Sequence, residues 1–62
     1  MTSLKVVPGM FGELGIFDAA GERVAIHHTG ALRFDARIIW ERPELIEAAE
    51  VALARYAMGV RM

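Results

Sequence analysis

The stretch Glu13-Leu14-Gly15-Ile16-Phe17-Asp18-Ala19-Ala20-Gly21-Glu22-Arg23-Val24-Ala25-Ile26-His27 decides the fold. Two runs rich in apolar residues flank Asp18-Ala19-Ala20-Gly21, where an acid opens a turn and a glycine closes it. That chemistry suits a three-residue hairpin loop, a type I turn followed by a left-handed residue. Asp18 is expected to accept hydrogen bonds from the turn amides. Gly21 is expected to form the bulge, because glycine takes the left-handed conformation without steric cost. If Asp18 and Glu22 close the loop, Ile16 faces Val24 and Leu14 faces Ile26 on one side of the ribbon. Gly15 with Ala25, Phe17 with Arg23, and Glu13 with His27 take the other side. Turn chemistry and alternation choose the same register, and a one-residue slip would turn the apolar set outward.

Upstream, Leu4-Lys5-Val6-Val7 reads as a short edge strand ended by Pro8-Gly9. Met10-Phe11-Gly12 fits a strand, a loop or an exposed contact. Downstream, His28-Thr29-Gly30 breaks the strand and the pattern becomes helical. Ala36 to Glu41 forms a short helix that begins near Arg33 or with Asp35 as its N-cap. Pro43 stops it, since proline lacks an amide hydrogen and disfavours the α conformation at Arg42. A second helix starts there, with Glu44 and Glu47 favourably placed near the positive end of its dipole. Its residues Leu45, Ile46, Ala49, Ala52, Leu53 and Tyr56 recur at the spacing of a buried stripe. Gly59 is a natural terminator, leaving Val60-Arg61-Met62 as a tail. The expectation is one α+β domain over residues 1–62, a β-meander of two or three antiparallel strands packed against two consecutive C-terminal helices broken at Pro43. Leu14, Ile16, Val24 and Ile26 would lie beneath Leu45, Ile46, Ala49 and Leu53.

Composition bounds the function. The chain has 62 residues, 55% of them hydrophobic, and no cysteine, so neither disulfides nor thiolate-bound zinc can support so small a core. Below roughly 70–80 residues a core seldom supplies more than ~3–5 kcal/mol. The apolar excess therefore points to a dimer or a partner-bound state, although ten alanines contribute little burial each. Seven basic against eight acidic residues give a net charge of −1 and a pI of about 6.0. That balance argues against direct nucleic-acid binding. No apolar run approaches the ~20 residues that span a bilayer, and no leader is evident, so no membrane association and a cytoplasmic location are expected.

Three constellations invite a chemical reading. His27-His28 are strand neighbours pointing to opposite faces, so they do not readily share a metal. Glu13 opposite His27 would be the only acid–base pair, and cross-strand Glu–His pairs are commonly just solvated. Gly9, Gly12 and Gly15 lack the lysine and the strand-to-helix context of a phosphate loop. No catalytic residue, cofactor or metal site is therefore assigned. Glu44, Glu47 and Glu50, with Glu41 one turn earlier, form an acidic stripe, ordinarily a solvated face and otherwise a contact surface. Trp40, Phe34, Phe11, Met10, Met58 and Tyr56 exceed what the proposed core can hold, and such residues are enriched at interfaces. Trp40 with Arg37, at a short helix beside a forced break, is the expected anchor. Met10, Phe11, Phe34, Trp40 and Met58 are expected to mark one end of the domain as a covered surface.

The segments Asp18, Gly21, Val24-Ala25, then Ala36-Arg37-Ile38-Ile39 and Pro43-Glu44-Leu45-Ile46-Glu47-Ala48 resemble small phage and prophage proteins of unassigned function. Those proteins carry a "D-x-x-G-x-x-V-A" hairpin before a helix of the form "A-R-L-I-A-A-A-P-E-L-L-E-A-L". The resemblance covers about 45 residues, from Gly12 onward. This chain departs from it at Trp40-Glu41-Arg42, where the pattern has small alanines, which marks Trp40 and Arg42 as contact residues of its own. The resemblance implies a mobile-element origin, a bacterial host cell, and action by binding a host or phage protein. An anti-defence inhibitor of the anti-CRISPR type, blocking a CRISPR-Cas-type or nucleic-acid-processing complex, is the leading expectation by analogy. A self-associating assembly module, a homodimer through Leu45, Ala49, Ala52 and Tyr56, is the alternative. A small enzyme using Glu13, His27 and His28 is the third.

Overall fold

The computed structural model describes residues 3–60 and has the element order β1 (Lys5–Pro8), β2 (Leu14–Phe17), β3 (Arg23–His28), β4 (Ala31–Phe34), α1 (Ala36–Glu41) and α2 (Glu44–Val60). The strands form one antiparallel sheet in the order β1-β2-β3-β4, so the domain is α+β with each strand beside its neighbour in sequence. Four strands replace the two or three expected. The addition is β4, and Arg33, considered above as a helix start, lies inside it. Its hairpin is easily missed because the two-residue loop is Thr29-Gly30, both at positive φ, 51° and 78°. Asparagine or aspartate before glycine would have announced such a turn; threonine does not.

The loop from Asp18 to Glu22 forms as its chemistry dictates. The Asp18 carboxylate accepts from the amides of Ala20 and Glu22, each at 2.9 Å, and Gly21 sits at φ 85°. The Asp18 amide donates to the Glu22 carbonyl at 3.0 Å, and Phe17 pairs with Arg23 as expected. Beyond that pair the register slips. Ile16 pairs with Ala25, Gly15 with Ile26 and Leu14 with His27. One extra residue has entered β3 at Val24, a bulge separate from the one at Gly21. Such an insertion breaks strict alternation, and both Val24 and Ala25 are buried, at 1% and 4% exposure. The expected facing of Ile16 with Val24 and Leu14 with Ile26 is thereby corrected, and Ile26 moves to the face away from the helices.

The core consists of Ile16, Val24, Ala25, Ile38, Leu45 and Ala49, with Leu4, Val6, Leu32, Phe34 and Leu53 packed around it. Leu14 and Ile46 are only half-buried. Ile38 is the one buried residue of α1. Asp35 occupies the N-cap position in extended backbone, but its carbonyl and not its carboxylate receives the first helical amides, those of Ile38 and Ile39. The interruption between helices starts one residue before proline. Arg42 leaves the helical region at φ −136° and ψ 58°, as steric conflict with a following proline ring requires. Carbonyls of Arg42 and Pro43 then accept the amides of Leu45 and Ile46. At the other end α2 runs through Gly59 to Val60. Glycine in a last turn weakens a helix without ending it, so Val60 belongs to the helix, while the rest of the expected tail, Arg61-Met62, lies outside the described residues. No described helix is long and apolar enough to cross a membrane.

Candidate functional site

Helix α1 presents the most exposed aromatic residue. Three consecutive residues fan around its axis at about 100° each. Ile38 is 1% exposed, Ile39 48% and Trp40 85%. Two charged contacts hold this short helix against the β2–β3 turn. Arg37 pairs with Glu22, and Arg42 Nη1 donates to Asp18 Oδ2 at 2.9 Å. The Asp18 carboxylate thus serves two turn amides and one guanidinium. The Arg42 hydrogen bond, and after it the Glu22 amide, holds the carboxyl below the usual aspartate range, while the same contact raises Arg42. A six-residue helix has little stability of its own; here a buried isoleucine and two tethers to one turn fix the orientation in which Ile39 and Trp40 face solvent. Arg37 and Arg42, nominated as partner contacts, are engaged inside the domain. Asp18 was legible as a turn residue, but its partner stands 24 positions away and nothing local announces it.

The remaining nominated residues do not converge. Phe34 is half-buried and packs on the core. Met10 and Phe11, 91% and 81% exposed, form the tip of the β1–β2 loop, at the end of the strands opposite the β2–β3 turn that holds α1. The expectation of a single covered end is corrected accordingly: Met10-Phe11 and Trp40 stand at opposite ends of the strands, and Met58, also exposed, lies near the end of α2. The Met10-Phe11 tip is an ordered turn. Its Gly9 amide donates to the Glu13 carbonyl at 2.8 Å, Gly12 sits at φ 82°, and the Phe11 amide donates to Glu13 Oε2 at 3.0 Å. This loop repeats the closure of Asp18–Glu22, with an amide donating to a glutamate carbonyl four residues on and a left-handed glycine before that glutamate. Where one carries Ala19-Ala20, the other carries Met10-Phe11.

Glu41, Glu44, Glu47 and Glu50 are exposed. Glu44 and Glu47 also line a groove of about 690 Å³ between β1 and α2, walled by Leu4, Val6, Ala48, Val51, Ala52 and Tyr56, with Ser3 and Arg55 completing it. Sequence reasoning missed this groove by counting Ala52 and Tyr56 as covered. Its signal was present in Ala48 and Val51, which continue the helix face of Glu44 and Glu47 at i+4 and i+7.

The histidines separate as strand neighbours do, His27 half-buried and His28 exposed. Glu13 does not face His27. The slipped register puts Leu14 there, and the Glu13 carboxylate turns over Gly9 to reach the Phe11 amide. That removes the geometry on which a Glu13–His27 acid–base pair was premised. Among the described residues no group of three or more His, Cys, Asp or Glu side chains is placed to hold a metal ion. No protein-family model matches the chain, and no curated protein or solved structure matches it either.

Proposed function

We propose that this chain is a non-enzymatic accessory protein that acts by binding another protein, as an inhibitor of a host defence complex of the CRISPR-Cas type or of another nucleic-acid-processing complex. The observation that carries the contact reading is Trp40 at 85% exposure beside Ile39 at 48%, on a helix tethered at Arg37 and Arg42. An exposed tryptophan on a rigid support loses little conformational entropy on docking and suits an interface anchor. Met10 and Phe11 on their ordered turn offer a second anchor of the same kind. The phage-type origin and the bacterial cytoplasm belong to this proposal through the hairpin and helix pattern described above.

The test is affinity capture from a bacterial host lysate with wild type, Trp40→Ala and the double variant Met10→Ser/Phe11→Ser, followed by measured binding to the captured protein. A partner lost with Trp40→Ala and retained by an Ala54→Ser control, at an exposed position outside the nominated contacts, supports the reading. Equal recovery by all forms rejects it. A second reading, self-association, draws on the open edge of β1 beside the apolar groove at Leu4 and Val51. Light scattering that finds a monomer at all concentrations removes that alternative.

A further inference from the structure

The sheet has one face under the helices and one face open, and the register assigns every strand residue to one or the other. Val6, Ile16, Ala25 and Phe34 pair across the sheet on the helix side. Lys5, Phe17 and Arg23 form a row across β1, β2 and β3 on the open side, and Val7, Gly15, Ile26 and Arg33 form the next. Lys5, Arg23 and Arg33 are exposed, and among the described residues none of them forms a salt bridge. The acids lie elsewhere. Glu41, Glu44, Glu47 and Glu50 are on the helices, while Asp18 and Glu22 are paired with arginines. Two carboxylates border the open face. Glu13 is turned to the Phe11 amide, and Asp35 lines a shallow depression of about 250 Å³ with Arg23 and Arg33.

Phe17, half-exposed, leans over this face with the Cε1–Cζ edge of its ring nearest Gly15. A Cβ placed on Gly15 would come within 2.8 Å of Phe17 Cε1, so the ring covers the one position in β2 that has no side chain, and Gly15 is buried beneath it. The part of the ring not packed on Gly15 is left open to solvent. Here Phe17 stands between Lys5 and Arg23, its register partners on strands that run about 4.8 Å to either side.

We propose that the open sheet face, with Phe17 flanked by Lys5, Arg23 and Arg33, binds single-stranded nucleic acid. Cations that track a phosphate backbone and an aromatic platform for one base are the two components of sequence-tolerant single-strand binding. Charge complementarity selects an anion. The half-exposed aromatic ring selects an anion that carries planar groups, and only an unpaired base can reach a side chain on a sheet face. An acidic peptide would answer the charges and leave the ring unused. The net charge of −1, which argued against nucleic acid when averaged over the chain, is the sum of a basic sheet face and an acidic helix face.

The test is fluorescence anisotropy of labelled oligothymidylate and oligouridylate of about 15 nucleotides, a length within the range one small domain covers. Three phosphate contacts predict a slope of log K against log salt near −2, so affinity should fall about twentyfold between ~50 and ~200 mM salt. Lys5→Gln/Arg23→Gln/Arg33→Gln should abolish that salt dependence and weaken binding more than tenfold. Phe17→Leu should weaken it at least fivefold, a figure at the low end of one base–aromatic stack. Glu44→Gln/Glu47→Gln should leave binding unchanged or tighter. Circular dichroism confirms the fold of each variant, and the charge variant alters only exposed side chains. Absence of binding at low salt overturns the proposal. So does equal binding of a polyglutamate peptide or of anionic phosphatidylserine vesicles with no effect of Phe17→Leu, since that would make the face a general anion surface.

Discussion

Ile38 and Ile39 are identical neighbours, and the fold makes opposite use of them: 1% exposed against 48%. Ile38→Ala removes three carbons from the core. At about 0.8 kcal/mol per buried methylene the transfer loss is about 2.4 kcal/mol, and the cavity left among Ile16, Val24 and Leu45 raises the cost to about 3–4 kcal/mol. A chain of 62 residues has a total stability of about 3–9 kcal/mol. The substitution should therefore bring the domain close to the folding threshold. Ile39→Ala exposes no cavity, and alanine's helix propensity returns a few tenths, so its cost should stay below about 1 kcal/mol. Ile38→Val, one methylene smaller, should fall near 1 kcal/mol. Urea unfolding followed by far-ultraviolet circular dichroism gives all three, with an unchanged denaturant slope as the check on two-state behaviour. An Ile39→Ala cost equal to that of Ile38→Ala, or an Ile38→Ala cost under 1 kcal/mol, would refute the placement of α1.

Thr29 holds φ 51°, a conformation costing a β-branched residue about 1–2 kcal/mol. Thr29→Asn should raise stability by about 0.5–1 kcal/mol in the same assay, and a loss would show that the turn is not of this type. Asp18 has a folded-state carboxyl pKa lowered chiefly by the Arg42 hydrogen bond. Its contribution is therefore present above the unfolded value of 3.8 and is lost as pH falls through the folded value. The stability gap between wild type and Asp18→Asn should be constant at neutral pH and close below that point, and a gap unchanged into strong acid would contradict the tether. Trp40 should be quenched by acrylamide as fully in the native as in the unfolded protein. Trp40→Ala should change stability by no more than about 0.5 kcal/mol, and a larger loss would place the ring in the fold and not at a contact.

What was legible in the sequence was local. Asp18 and Gly21 specify their turn because carboxylate-to-amide bonds and a left-handed glycine act within five residues. Pro43 separates the helices through the backbone of Arg42 alone. Leu45 and Ala49 are found in the core because helical periodicity marks them without reference to anything else.

What required tertiary structure was every statement about which face and which partner. The bulge at Val24 shifts one half of β3 by a residue, and a period of two converts that single step into the exchange of Ile26 for Ala25 in the core. The Thr29-Gly30 hairpin adds a fourth strand, and that strand brings Arg33 onto the face of Lys5 and Arg23. Arg42 is two positions from Trp40 in the chain but pairs with Asp18, 24 positions earlier. The sequence by itself determined the turns, the helix break and the α+β class, since these follow from short-range dihedral and hydrogen-bond preferences. Only the tertiary structure decided that a nearly neutral chain sorts its charge by face, because a net charge is a sum over residues and a face is a matter of pairing between strands.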